Sequence, residues 1–488
     1  MNPSIVRIIV GILAALGYLV GAWGFTSPAW LAVITLALLV YVAYEIYIVA
    51  VIEREARWLT KAPVMASLYV FGLTYGITNI TLFTPEGGEA MDWFGVDYTW
   101  LIRTEALALL GALFMWMGYR SRIGLWAGKR LSSSFRLDRF FSKSWEVRWS
   151  IIWLCVLMSF GARLVMIQLG AFGYNADMEE LEGEGASYHQ YLGLLTHLGS
   201  LALAALAIHC AGSKSTTNTA IIALSGIMIY EMIFGVIAGF KSHVILPPLI
   251  ITTCYYTVRG KIHWVWVAAV AASVPIAYTF VEPLRRARNE DPRYDNRSLV
   301  SIMSFVVESI NFDEIGNEED KNKKSPFYSA FDRLSITLFS AMAIRFDETV
   351  GLDEDDPNFL MDLLLRPVYS VIPRFAWTDK PLSNAGIWFT RTVCGQITSN
   401  SGTGFGPVGH LYFVGGVVGV CLGFMVIGFL QRFVYQTFWR ASAGSLLVYL
   451  IIAGSMACTA GTLDNMISFL IRSMPMLVVA QYFLFKNT

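Results

Sequence analysis

Residues 372–381 read IPRFAWTDKP, and a glycine-rich segment, residues 402–423, follows closely behind them. Two prolines enclose a decapeptide whose side chains of chemical interest are Arg374, Trp377, Asp379 and Lys380. An arginine offers phosphate a planar, permanently charged fork, and a lysine adds a mobile point charge. A tryptophan can stack on a sugar ring or on a guanidinium. The alternative is an interfacial loop, in which the tryptophan lies at the lipid headgroups and the cations reach lipid phosphates.

The rest of the chain is apolar and indicates a membrane protein. Of its 488 residues, 55% are hydrophobic and 15% are charged, and the mean hydropathy is +0.54. A helix needs roughly 20 apolar residues to cross a bilayer core. We therefore predict an all-α polytopic membrane protein with about twelve transmembrane helices, at residues 4–22, 29–51, 62–84, 99–119, 149–170, 191–211, 219–240, 243–258, 262–281, 405–430, 443–463 and 465–485.

Composition and motifs exclude several classes of protein. A formal net charge of zero argues against nucleic acid as a partner, because nucleic-acid binding needs a basic face. The six cysteines are scattered, which signals neither a disulfide framework nor a metal cluster. The absence of HExxH, CxxC and Gly-x-Ser-x-Gly motifs gives no support to protease, redox or hydrolase chemistry. No metal or cofactor is expected.

The short connections predict the orientation of the chain. Basic residues such as Arg54 and Arg57 follow the second and fourth spans, whereas acidic residues such as Glu86 and Asp177 follow the third and fifth. By the positive-inside bias, both termini are cytoplasmic. One outer connection is much longer than the others, which divides the chain into a nine-helix membrane region, a large outer loop and a three-helix membrane region, at residues 1–281, 282–404 and 405–488.

The large loop has two different parts. Residues 308–325 carry clustered acidic and then basic side chains, which is typical of a solvated excursion. Residues 327–345 are apolar except for polar positions that include Asp332 and Arg333, and this pattern predicts an amphipathic or re-entrant helix. A loop of this length is usually functional.

Ionisable residues within or beside the spans gather on the outer side. They include Arg163, the turn residue Lys241 and, from the large loop, Arg285, Arg286, Arg288, Arg333, Arg374, Lys380 and Arg391. An ionisable residue inside a membrane is a functional hypothesis by default, and so many cations suggest a cavity for a polyanionic headgroup such as a pyrophosphate. The structural alternative is a set of ion pairs: Arg103 with Glu105, and Arg163 or Arg472 with Glu231.

Two further features lie in the C-terminal third. Gly415, Gly419 and Gly423 recur at a spacing of four and predict a helix-packing seam. His410, like the earlier His243, lies near the cationic set, and a histidine there could act as a general base.

Four features together resemble one family. They are the Pro373-Arg374…Trp377…Lys380-Pro381 core, Arg333 in the apolar run before it, Gly415-Gly416…Gly419 in a late span, and the turn Gly239-Phe240-Lys241-Ser242. Over residues 230–430 the chain resembles the Wzy-type oligosaccharide repeat-unit polymerases, which are the O-antigen and exopolysaccharide polymerases of bacterial membranes. The acidic stretch 308–325 departs from that pattern.

The resemblance implies a GT-C-like glycosyltransferase in the bacterial inner membrane, acting at its periplasmic face on undecaprenyl-pyrophosphate-linked oligosaccharide. The donor would be bound by Arg163, Lys241, Arg285, Arg333, Arg374, Trp377, Lys380 and Arg391. The base that deprotonates the acceptor hydroxyl would be Asp332, Asp379 or His410. Membrane lipid is an expected partner, and a chain-length regulator is a further partner to look for.

Two other classes share much of this evidence. An O-antigen ligase-like transferase would use the same donor with another acceptor. A lipid-linked glycan flippase or a transporter would place charges along a transmembrane path, and Glu231 is the residue that favours it.

Overall fold

The computed structural model describes residues 3–53, 57–134, 140–173, 184–213, 216–290, 297–308, 335–354, 356–372, 377, 385–397, 402–457 and 463–486. Within these ranges the chain is helical and forms no strand, apart from one isolated antiparallel bridge between Val147 and Phe485. The prediction of an all-α protein is confirmed for this part of the chain.

The helices up to the large loop are α1 (Pro3–Ala22), α2 (Pro28–Tyr47), α3 (Trp58–Lys61), α4 (Pro63–Phe71), α5 (Pro85–Phe94), α6 (Tyr98–Arg120), α7 (Arg122–Ser134), α8 (Trp149–Gln168), α9 (Glu184–Gly212), α10 (Asn218–Ile237), α11 (Lys241–Arg259) and α12 (Trp264–Glu290). Those that follow are α13 (Leu299–Glu308), α14 (Thr337–Thr349), α15 (Phe359–Val371), α16 (Ala385–Trp388), α17 (Gly406–Phe438), α18 (Ala443–Ala457) and α19 (Leu463–Leu484). Short π-helical or 3₁₀ segments extend α2, α4 and α16, at Ile48–Ile52, Gly72–Gly76, Ile77–Phe83 and Phe389–Val393.

Ten of the helical segments in the described ranges are long and apolar enough to cross a membrane. They coincide with ten of the predicted spans. Of the other two predicted spans, α11 has polar residues at both ends, and α18 is described over 15 residues, Ala443–Ala457, because residues 458–462 lie outside the described ranges. The architecture is that of a multi-pass membrane protein, and the number of twelve spans stays a prediction.

Local sequence explains where several helices begin. Ser27 caps α2 by accepting a hydrogen bond from the Ala29 N–H, and Pro28 occupies the first helical position. Thr84 and Pro85 do the same for α5. The first N–H groups of a helix have no intrahelical partner. A hydroxyl at the N-cap accepts a hydrogen bond from one of them, and proline at the first helical position has no N–H to satisfy.

Two large cores organise the bundle. The first is formed mainly by α1, α2, α4, α6, α14 and the N-terminal part of α17, and the second by α8 to α11, α18, α19 and the C-terminal part of α17. Glycines allow α6 and α17 to approach closely. A Cβ atom on Gly428 would lie 1.9 Å from the Met115 carbonyl oxygen, and one on Gly118 would lie 2.0 Å from that of Met425. α17 therefore connects the two cores.

The predicted tenth span, residues 405–430, is not a continuous helix. The backbone of α17 breaks at Gly415 and Gly416, and Gly416 has a φ of 59°, in the left-handed region that favours glycine. A Cβ atom on Gly419 would lie 2.4 Å from the Leu411 carbonyl oxygen, and one on Gly423 would lie 2.3 Å from the Leu411 side chain. In a straight helix these residues would be about 12 and 18 Å from Leu411. The arm before the break, Gly406–Val414, therefore folds back against the rest of α17.

The helix predicted at residues 327–345 corresponds in part to α14, because residues 309–334 lie outside the described ranges. Ser335 and most residues from Thr337 to Ile344 are buried. The helix packs against α6 and the first arm of α17. This part of the predicted outer loop is inside the bundle, as a re-entrant helix would be.

Candidate functional site

The structure describes six of the eleven predicted site residues: Arg163, Lys241, Arg285, Trp377, Arg391 and His410. The other five, Asp332, Arg333, Arg374, Asp379 and Lys380, lie outside the described residues. Their roles stay predictions.

His410 lies on the first arm of α17 and only 2% of it is exposed. Aromatic rings surround its imidazole. The Phe359 ring of α15 meets it edge-on with ring centroids 5.5 Å apart, and the Phe405 ring stacks on it at 6.1 Å. The fold-back of α17 at Gly416 places this arm, and hence the imidazole, in the interior of the bundle.

A carboxylate and a guanidinium complete the His410 cluster, which consists of His410, Asp464 and Arg366. Asp464, in the first turn of α19, is fully buried, and its Oδ1 lies 3.7 Å from Nε2 of His410. Arg366 of α15 donates from Nη1 to the other carboxylate oxygen, Oδ2, at 2.6 Å. Three helices from distant parts of the sequence therefore bring together an acid–base group, an anion and a cation.

Two polar atoms of this cluster make no hydrogen bond within the described part of the chain. They are Nδ1 of His410 and Oδ1 of Asp464, and both are inaccessible to solvent. Buried polar groups are normally hydrogen-bonded, so each such atom in a folded protein calls for an explanation. A histidine beside a carboxylate can accept a proton and be stabilised in its charged form, which is the arrangement used in many general bases.

Asp464 and Arg366 are not among the site residues predicted from the sequence. Asp464 immediately precedes the predicted twelfth span, where an acidic residue at the outer end of an apolar run was a usable signal. Arg366 lies in a segment with no predicted element, and nothing in the pattern singled it out.

A second polar group, the Glu231 cluster, lies among α8, α9 and α10. Arg163 donates from Nη2 to both carboxylate oxygens of Glu231, at 3.0 and 2.9 Å, and Ser200 donates to Oε2 at 2.9 Å. Both ionic side chains are less than a tenth exposed. A Cβ atom on Gly199 would lie 2.1 Å from Oε1, so a glycine is needed there to make room for the carboxylate. Of the two pairings considered from the sequence, the one with Arg163 is present, and its donor-binding role stays a prediction.

Lys241 and Arg285 meet at a single turn at the ends of α11 and α12. Arg285 donates from Nε to the Gly239 carbonyl oxygen at 2.7 Å, and the Lys241 ammonium lies 3.9 Å from the centre of the Tyr278 ring. Gly239 has a φ of 72°, which the turn requires. Two of the predicted donor-binding cations are therefore neighbours.

Trp377 packs against α15, and Arg391 lies on a segment that packs against Phe405. The Trp377 ring meets the Tyr369 ring of α15 edge-on at 5.1 Å. Arg391 is exposed, two residues after Phe389, whose ring stacks on Phe405 at 4.5 Å. The same Phe405 ring stacks on His410, so the segment that carries Arg391 is linked to His410 through Phe405.

The predicted ion pair between Arg103 and Glu105 is wrong. Arg103 pairs with Glu348 at the end of α14, and it also donates to the Tyr18 hydroxyl at 2.9 Å. Glu105 instead accepts a hydrogen bond from the Thr337 hydroxyl at 2.9 Å. Residues two apart on a helix point in different directions, so the two charges find separate partners. Both partners lie on α14, which these contacts tie to α6.

These features define a class of protein, a helical multi-pass membrane protein with charged clusters buried between its helices. Residues 162–456, more than half of the chain, match the family model described as "Domain of unknown function (DUF8712)". The chain belongs to this family. The match includes Glu231, Arg366 and His410 and ends shortly before Asp464. No curated protein and no solved structure matches the chain.

Proposed function

We propose that this protein is a glycosyltransferase that polymerises undecaprenyl-pyrophosphate-linked oligosaccharide repeat units at the periplasmic face of a bacterial inner membrane. The support is the resemblance of residues 230–430 to Wzy-type polymerases, together with one structural observation, the buried His410 cluster. A transferase with a lipid-linked donor needs a base for the acceptor hydroxyl and cations for the leaving pyrophosphate.

In the proposed reaction, a sugar hydroxyl of the incoming lipid-linked repeat attacks the anomeric carbon of the growing chain. A new C–O bond forms at that carbon while its bond to the phosphate oxygen breaks. The pyrophosphate leaves with the electron pair, and the hydroxyl proton passes to His410. Asp464 stabilises the resulting imidazolium, and Arg366 holds the carboxylate in position. Asp332 and Asp379 remain alternative bases predicted from sequence.

Cations would stabilise the departing pyrophosphate. Lys241 and Arg285, which meet at one turn, are the described pair that we assign to this role. Arg374 and Lys380 are assigned to it from the sequence. Electrostatic stabilisation of developing charge is usually the largest single contribution to catalysis, so loss of such a cation should reduce turnover strongly.

Transport is a second candidate function, and the Glu231 cluster is the observation that favours it. A carboxylate between α8, α9 and α10 could carry a proton or an ion along a transmembrane path. Arg163 binds both oxygens of this carboxylate, however, so its positive charge compensates the negative charge of Glu231 and favours a static ion pair. We therefore place transfer chemistry first.

The test replaces His410 with glutamine in a host whose surface polysaccharide depends on this protein. We expect long polymer to fall by at least about 100-fold, because general-base catalysis contributes about 10²–10⁴-fold. Single repeats should still reach their final acceptor, since their ligation and export would not need this protein. The matched control is His263→Gln, which changes an exposed histidine before α12 and should leave chain length unchanged.

Two outcomes would contradict parts of the proposal. Wild-type chain length at normal protein levels in His410→Gln would remove His410 from the reaction. Loss of every glycan form, single repeats included, would favour a ligase or a flippase. In the same assay Arg374→Lys keeps the charge but loses the planar fork, so it should also abolish long polymer if Arg374 binds pyrophosphate.

A further inference from the structure

A cavity of 420 Å³ lies near the C-terminal ends of α9, α11 and α17. It is at the other end of α17 from His410. Its lining combines arginines and tryptophans with small and apolar residues, and none of these residues is acidic. The lining residues are Arg57, Trp145, Ala211, Gly212, Ser213, Val258, Arg259, Trp439, Arg440, Ala441 and Leu446. The volume is within the range of about 300–1,000 Å³ that is typical of small-ligand sites.

Arg57 is held toward the cavity by its backbone and by a neighbouring helix. It has a φ of 65°, and in the described ranges it is the one residue other than glycine with a positive φ. Its Nη2 donates to the Val258 carbonyl oxygen at the end of α11, at 2.9 Å. A residue other than glycine in the left-handed region is strained, and such strain often marks a functional position.

The other two arginines are also anchored on helix ends. Arg259 donates from Nε to the Ala211 carbonyl oxygen of α9 at 2.5 Å. Arg440 donates from Nη1 to the Trp439 carbonyl oxygen at 2.7 Å, and from Nη2 to the Ser132 hydroxyl. Because helix C-termini carry partial negative charge, capping is a sufficient reason for any one of these contacts.

Capping does not account for the whole arrangement. A guanidinium has five N–H groups, and the described contacts of Arg57 and Arg259 each use one of them. Three fixed positive charges around one cavity repel one another, and the lining supplies no carboxylate to offset that repulsion, as a bound anion would. Arginine forks match the geometry of phosphate oxygens.

We propose that this cavity binds a phosphate group, carried either by a lipid headgroup or by a small soluble anion. Trp145 and Trp439 in the lining suit either source, because tryptophan is enriched where a membrane meets water and also packs against organic ligands. The inference is independent of the glycosyltransferase proposal, since it concerns other residues at the other end of α17.

The experiment measures binding to the full-length, delipidated protein in detergent by native mass spectrometry. One arm adds inorganic pyrophosphate and the other adds phosphatidylglycerol, with phosphatidylcholine as a zwitterionic comparison.

Arg259→Gln removes one fork from the cavity. Arg122→Gln is the matched control, because it makes the same charge change at an exposed position of α7 outside the lining. We expect Arg259→Gln to weaken binding by about tenfold or more, because it removes charge-assisted hydrogen bonds to the phosphate. Arg122→Gln should leave binding unchanged.

The two arms identify the source of the phosphate. Pyrophosphate binding that depends on Arg259 indicates a soluble anion, and dependence seen with phosphatidylglycerol alone indicates a lipid headgroup. Equal binding by wild type, Arg259→Gln and Arg122→Gln in both arms overturns the proposal. If Arg259→Gln does not fold, Arg259→Lys serves instead, because lysine keeps the charge at the end of α11 and loses the fork. Unchanged binding by that variant in both arms likewise contradicts a fork-bound phosphate.

Discussion

The ion pair of Arg163 and Glu231 illustrates the energetics of a charge inside an apolar bundle. Removing one partner of a buried pair leaves the other uncompensated and costs about 3–5 kcal/mol, whereas replacing both with apolar residues is often neutral or stabilising. The pair is enclosed by the Tyr230 and Phe234 rings, whose centres lie 5.0 Å from the guanidinium carbon. Its contribution to stability therefore depends on both charges being present.

We predict that Glu231→Leu lowers the free energy of unfolding by about 3–5 kcal/mol and that adding Arg163→Leu restores most of the loss. Thermal unfolding of the purified protein in detergent measures both effects. Glu146→Gln is the control, because Glu146 pairs with Lys486 on the surface and its loss should leave the midpoint unchanged. A double variant as unstable as Glu231→Leu would mean that another contact of Arg163 carries the stability, and its hydrogen bond to the Thr196 carbonyl oxygen is the described candidate.

At the scale of elements, the break in α17 determines where His410 lies. Gly415 and Gly416 are adjacent, but their backbones differ. Gly415 has a φ of 179°, an extended value open to any residue, and Gly416 has a φ of 59°. No atom lies within 4 Å of a Cβ added at either position, so backbone conformation alone distinguishes them.

We predict that Gly416→Ala destabilises the protein by about 1–3 kcal/mol, because L-residues rarely adopt the combination of φ 59° and ψ −144° found at this position. Gly415→Ala is the matched control and should be nearly neutral. If α17 instead continued straight through this position, Gly416→Ala would stabilise it by about 0.5–1 kcal/mol, because alanine is the better helix former. The sign of the change in the thermal midpoint therefore distinguishes the two structures.

The sequence predicted the close packing of glycines in α17 better than it predicted the reversal of the helix direction. A spacing of four between small residues is visible in one dimension, and Gly419 and Gly423 do pack closely, against Leu411. The prediction is wrong for Gly415, because no atom of the described residues lies within 4 Å of a Cβ added there. The reversal at Gly416 was not predictable in the same way, because an apolar run with glycines also fits a continuous span. The Arg103 pairing failed for a similar reason, since its partner lies on α14, 245 residues away.

At the scale of the whole molecule, composition was sufficient to predict the class of protein. It did not predict which residues come together at the site. Long apolar runs need no tertiary information to be recognised as membrane helices. The His410 cluster draws on α15, α17 and α19, and its Arg366–Asp464 bond spans 98 residues. One member was predicted because a histidine near cations is conspicuous. The other two became apparent only when the fold placed them beside it.

The orientation of the molecule decides which medium each end faces. Charge segregation predicts that Ser133, exposed at the end of α7, is cytoplasmic and that Ser325, in the large loop, is periplasmic. In a variant without native cysteines, a cysteine at position 325 should react with a membrane-impermeant maleimide in intact cells, and one at position 133 only after permeabilisation. A cysteine replacing the fully buried Leu38 should react in neither case and serves as the control.

The reverse labelling pattern would mean that each end of the molecule faces the opposite side of the membrane from the one predicted. That result would affect both proposals. Arg440 bonds to Ser132, next to the labelled position 133, so the arginine-lined cavity is on the side that this label reports. The predicted pattern gives that cavity access to cytoplasmic anions and inner-leaflet lipid. It also leaves the His410 cluster toward the periplasm, where a lipid-pyrophosphate donor that has crossed the membrane would be used. With the ends exchanged, the polymerase would face the wrong compartment for its donor, and the glycosyltransferase proposal would fail whatever the mutants of His410 do.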